Sequence, residues 1–127
     1  MTRVYVDVEA LSTGAGQRRT TDADAVRSLE YLAEAGHDVL LVTGESLPAA
    51  LAELSLAVVP AAPPEPEQAA WYLTTDPERC RNRSARLRTV LVGRTPSPAA
   101  IHRCDALARD VLAAALEILA AEAMPSA

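Results

Sequence analysis

The sequence has no lysine and no phenylalanine, and all twelve of its basic residues are arginine. Aromatic side chains make up only 3% of the 127 residues, so any core must be built from Leu, Val and many Ala at close spacing. The formal net charge is −5 and no long basic run is present, which argues against nucleic-acid binding, because that rests on phosphate neutralisation. The one locally basic stretch, 79–88 (RCRNRSARLR), reads as a solvated face rather than an anion site. No apolar run reaches the ~18–20 residues of a membrane span. The opening MTRVYVDV lacks the apolar middle and small-residue cleavage site of a signal peptide. Two cysteines, Cys80 and Cys104, are too few for a disulfide framework, and a reducing cytoplasm is the expected setting.

What is present is a regular alternation. Half of the residues are hydrophobic, enough for a real core, and the length fits one domain over residues 1–127. Val4–Val8, Asp38–Thr43, Leu56–Val59, Ala70–Thr74 and Thr89–Val92 are short apolar runs without alternation, as expected of parallel strands buried on both faces. Between the first two, residues 10–21 form a small polar loop. A helix follows, opened by Thr21 with Asp24, carried by Val26, Leu29, Leu32 and Ala33, and closed at Gly36. Ser46 and Pro48 open a short second helix whose Leu51 and Leu54 face inward. Residues 60–69, PAAPPEPEQA, are a stiff extended connector. The last helix runs to about Met124, with Leu107, Val111, Leu112, Ala115, Leu116 and Leu119 as its apolar face. These elements predict a single Rossmann-like α/β domain. Its sheet has five parallel strands, helices on both faces, right-handed crossovers and no cap domain.

In such a sheet ligands bind beyond the carboxyl ends of the strands. The polar residues gather there: Asp7 and Glu9 after the first strand, Thr43, Gly44 and Glu45 after the second, Asp76 after the fourth. Each has an ordinary structural role as well. Asp7 can accept backbone hydrogen bonds in a turn, Thr43 is a common strand-end residue, and Glu45 suits a solvated turn. His37 reads as exposed at a turn. His102 and Cys104 lack partners for a zinc site. No phosphate-binding glycine loop is present.

The order Asp7, Thr43, Asp76 on strands one, two and four resembles the haloacid dehalogenase superfamily of phosphohydrolases. The resemblance follows the element order over nearly the whole chain. It implies that Asp7 is the nucleophile and Glu9 the general acid/base. It implies that Thr43 and Gly44 bind the phosphoryl group, and that Asp7, Glu9 and Asp76 hold Mg²⁺. A carboxylate can attack phosphorus once a divalent cation offsets the repulsion between them. With no room for a cap, the open cleft suits a large or protein-borne phosphate. A response-regulator receiver is set aside, because the third strand ends at Val59-Pro60 and there is no Lys.

Two positions depart from the family pattern. Glu9 stands where the second Asp belongs, which moves the carboxyl by one methylene. The Lys or Arg expected ahead of strand four is missing, since Ser28 to Glu78 contains neither. Arg79 or Arg81 could substitute. The expectation is therefore a degenerate member with an impaired site, a non-catalytic binding or regulatory protein with a protein partner or phosphorylated ligand. The alternative is an active Mg²⁺-dependent phosphatase. The alanines of the last helix suit packing on its own sheet and would also suit a homodimer seam.

Overall fold

The computed structural model describes residues 2–13, 20–81, 84–93 and 104–123. Its framework is a six-stranded, all-parallel sheet: β1 (Arg3–Asp7), β4 (Asp38–Val42), β5 (Ala57–Val59), β6 (Ala70–Thr74), β7 (Leu87–Val92) and β8 (Ala106–Ala108). The order is β5-β4-β1-β6-β7-β8. The chain therefore builds outward from β1 on one side, then returns to build outward on the other. The reversal opens a crevice at the carboxyl end of β1, where such sheets bind ligands. A 3₁₀ turn, Val8–Leu11, leads from β1 into a small antiparallel hairpin of β2 (Ser12–Thr13) and β3 (Thr20–Thr21), within the stretch expected to be loop.

The five strands expected from sequence are all present, and the sixth, β8, is a correction. Residues 106–108 were assigned to the last helix, but they pair with Val90–Val92 of β7. Asp105 holds this edge: its carboxylate accepts from Thr89 N at 2.8 Å and Thr89 Oγ1 at 3.1 Å. The helix begins only at Val111. Met124, its expected end, lies outside the described residues.

Helices α1 (Ala23–Glu34), α2 (Ala49–Ala52) and α3 (Val111–Ala123) follow β3, β4 and β8. Asp22, rather than Thr21, caps α1, accepting from Asp24 N at 2.9 Å. Period-two alternation divides the strand side chains between two clusters. Val4, Val6, Val39, Leu41, Trp71, Leu73 and Val90 pack with side chains from all three helices. Tyr5, Leu40, Val42, Ala70, Tyr72 and Leu87 form the other cluster, which among the described residues contains no helical side chain. Residues 94–103, in the crossover from β7 to β8, lie outside the described residues. Ala62 of the 60–69 segment packs on this second face, and the segment is tied down by Ser84 N to Pro64 O and Arg86 Nη1 to Glu67 O.

Three smaller expectations also change. On α3 the buried stripe is Val111, Ala114, Ala115 and Ile118, while Leu112 and Leu116 face outward. This helix is apolar nearly all round, so its sequence period could not select the face. His37 is half-buried, and its Nδ1 is enclosed with no hydrogen-bond partner. Cys80 and Cys104 form a disulfide, with Cα atoms 5.2 Å apart. Residue counting did not anticipate it, because the fold brings the end of the turn after β6 beside the approach to β8. Among the described residues no helix is long and apolar enough to cross a membrane.

The corrected α3 face gives opposite expectations for neighbouring residues. Ile118→Ala removes a fully buried side chain and should cost about 3 kcal/mol in urea unfolding. Leu116→Ala, at an exposed site, should stay within about 0.5 kcal/mol of wild type.

Candidate functional site

Asp7 ends β1 on the same face of the sheet as Tyr5, two residues before it. Parity does the same for Tyr72 and Thr74 on the adjacent strand β6. The register aligns Tyr5 with Tyr72 and Val6 with Leu73. Three strand-end polar side chains therefore converge at one point. The 3₁₀ turn that follows carries Glu9 away to the surface.

Asp7 is only 1% exposed, so its carboxylate must find partners inside the protein. It finds three. Tyr72 donates its hydroxyl to Oδ1 at 2.7 Å. Thr74 donates to Oδ2 at 2.6 Å. Arg79 Nη1 donates to the same Oδ2 at 2.8 Å, forming an ion pair. The positive charge that the sequence lacked ahead of strand four thus comes from just after it. It comes from Arg79 and not Arg81, which pairs with Glu78 at 3.1 Å.

Local sequence explains how Arg79 reaches inward. Asp76 opens a second 3₁₀ turn, Pro77–Cys80, and caps it by accepting from Glu78 N at 3.0 Å. Pro77 suits the first position of that turn, where no N–H is needed. The hydroxyl of Thr74 accepts from Asp76 N at 3.1 Å, so one side chain both supports the turn and contacts Asp7. Arg79 then lies between two carboxylates, its Nε 3.8 Å from Asp76 Oδ2. Burial works against the Arg79 charge, but the attraction of Asp7 outweighs it and holds the guanidinium protonated well above its ordinary range. Burial, reinforced by the Asp7 carboxylate, pushes the Tyr72 phenol up to about 12.

A cavity of about 670 Å³ lies at this end of the sheet, lined in part by Glu9, Thr43, Gly44, Glu45, Tyr72 and Arg79. The structure therefore gathers Glu9, Thr43 and Gly44 around one space. Asp7 lies behind Tyr72 and Arg79, and Asp76 joins through Arg79. Thr43 Oγ1 accepts from Glu45 N at 3.1 Å, which shapes the turn after β4. Among the described residues, no three His, Cys, Asp or Glu side chains stand together in a group able to hold a metal ion. Tyr72 and Thr74 were not singled out from sequence. Their signal was a tyrosine and a threonine at one parity in an otherwise apolar strand, and it acquires meaning only with the β1–β6 register.

The Tyr72 shift has a defined sign. The folded state favours the neutral phenol, so its contribution to stability is complete below pH 10, the ordinary value, and is lost as pH rises towards about 12. Wild type should lose stability across that window more steeply than Tyr72→Phe in denaturant titrations. A tyrosinate absorbance step near pH 12 should be present in wild type and missing in the variant. Thr74→Val, which strips one donor from the buried carboxylate, should destabilise by about 1–3 kcal/mol at neutral pH.

No protein-family model and no curated protein sequence matches the chain. Among solved structures, the fold is similar to that of D,D-heptose 1,7-bisphosphate phosphatase from Burkholderia thailandensis, with a TM-score of 0.59 and 13% sequence identity. The match covers 94% of this chain and 99% of that one. At this identity the likeness is one of fold. It supports a single parallel α/β fold for the chain.

Proposed function

We propose that this chain is a haloacid dehalogenase-like protein that keeps the carboxylate site of a phosphohydrolase but acts by binding rather than turnover. The observation that carries this reading is the internal engagement of a buried Asp7. Both its oxygens are engaged, by Tyr72, Thr74 and Arg79. A nucleophilic carboxylate must direct a lone pair at phosphorus, and a metal ligand must offer a free oxygen to a hard cation. Three of the roughly four lone-pair sites of the Asp7 carboxylate are taken, both on Oδ2 and one on Oδ1, and the group is only 1% exposed.

The Mg²⁺ that the fold family implies does not fit these residues as they stand. A guanidinium already lies between Asp7 and Asp76, the two carboxylates that would share the ion. A divalent cation there would meet a like charge, and Asp76 Oδ1 is committed to capping its turn. Glu9, one methylene longer than the family's second acid, is exposed on the surface turn. Among the described residues, the charged groups lining the cavity besides Arg79 are Glu9 and Glu45, which oppose a phosphate dianion.

Two observations favour the second reading, a Mg²⁺-dependent phosphatase with Asp7 as nucleophile. Arg79 supplies a cation beside Asp7, and the fold is similar to that of a sugar bisphosphate phosphatase. Thermal unfolding separates the two readings. A ligand that binds only the folded state raises the midpoint by mass action, and beryllofluoride with Mg²⁺ mimics an aspartyl phosphate. The midpoints of wild type and Asp7→Asn should be unmoved by Mg²⁺ and beryllofluoride. A rise in wild type that Asp7→Asn abolishes would establish the phosphatase instead.

A further inference from the structure

We infer that the Cys80–Cys104 disulfide is a redox latch that holds Arg79 on Asp7. The inference rests on the reading that Arg79 closes the carboxylate site, and it adds what governs the closure. Cys80 directly follows Arg79 and is the last residue of the turn Pro77–Cys80. A turn of four residues has little cohesion of its own. Its entry is held by the Asp76 cap. Its exit is held by the bond to Cys104, 24 residues further on. Cys104 is itself well anchored: the next residue, Asp105, grips both the amide and the hydroxyl of Thr89 on β7. The disulfide thus ties the turn that carries Arg79 to the edge of the sheet. The ion pair is the other restraint, a non-covalent one whose Arg79 partner is 41% exposed and reachable by water.

The chemistry requires a dithiol reductant. Its thiolate attacks Sγ of Cys104, which is half-buried, whereas Cys80 is only 6% exposed. The Cys80 sulfur leaves as a thiolate and takes up a proton. The second thiol of the reductant then displaces Cys104 from the mixed disulfide. Two electrons pass to the protein, and the reductant ends as a cyclic disulfide. The freed turn loses its covalent tie to the sheet edge and keeps its local hydrogen bonds, the Asp76 cap among them. Arg79 can then leave Asp7, and the carboxylate opens to the cavity. Bonds of this kind in reducing compartments are typically transient and redox-sensing.

Carbodiimide-driven amidation of Asp7 with a small amine, located by peptide mass, tests the latch. Oxidised wild type should label poorly at Asp7. Wild type reduced with dithiothreitol, and the Cys80→Ser/Cys104→Ser variant, should both label faster by on the order of tenfold, the scale expected when a local opening step becomes easier. Reoxidation of wild type should restore protection. Trp71, buried in the core, reports through its emission that each form stays folded. Unchanged labelling on reduction, or reduction that unfolds the whole chain, overturns the latch. Oxidised Arg79→Ala distinguishes the two levels. If it labels quickly while reduced wild type does not, the latch fails and Arg79 remains the shield. If it labels as slowly as oxidised wild type, Arg79 is not the shield and the proposed function fails with it.

Discussion

A carboxylate buried at the end of the central strand is the constraint on which the rest of this molecule depends. Asp7 is almost completely withdrawn from water. An uncompensated charge there would cost several kcal/mol, on the order of the whole stability of a small domain. The protein meets the cost with two hydroxyl donors from the neighbouring strand and one guanidinium from the turn beyond it. Each donor in turn imposes a condition. Tyr72 and Thr74 work only if β1 and β6 pair in the observed register, because a one-residue slip would send both to the opposite face. Arg79 works only if the chain turns tightly after Asp76.

The same constraint couples fold to function. In a parallel sheet whose strand order reverses at β1, the end of β1 is where a ligand would bind. Here the most reactive group at that point is occupied by the protein's own side chains. Arg79 stands to Asp7 and Asp76 much as a bound cation would, as a positive charge shared by two carboxylates. A guanidinium is held by the chain and, unlike a metal ion, supplies no open coordination position. The structure therefore commits the carboxylate at the mouth of this crevice to internal hydrogen bonds and an ion pair.

Away from the site the sheet is braced unequally. One face is covered by α1, α2 and α3, whose small side chains allow the close approach that the scarcity of aromatics predicted. The opposite end of the sheet is held by a different contact. Trp71 Nε1 donates to Glu122 at 2.8 Å, tying β6 to the last turns of α3. That hydrogen bond, the largest of several causes, holds the Glu122 carboxyl below its ordinary range. The other face relies on the proline-rich connector, whose Ala62 is buried against Tyr5 and Tyr72.

The sequence by itself determined the fold class, the positions of five strands and the gathering of Asp7, Thr43 and Asp76 at one end of the sheet. Those features are local: apolar runs without alternation, cap residues and the order of elements along the chain. It did not determine β8, because Ala106–Ala108 favours a helix by local propensity and pairing with β7 overrides that preference. Nor could it select the buried face of α3, which is apolar on nearly every side. The cation at Asp7 was legible only as a choice between Arg79 and Arg81, since their reach depends on how the turn after β6 is capped. The roles of Tyr72 and Thr74 and the Cys80–Cys104 bond were decided by tertiary structure alone. Each joins residues that are distant in sequence, and only strand register and chain crossing bring them within bonding distance.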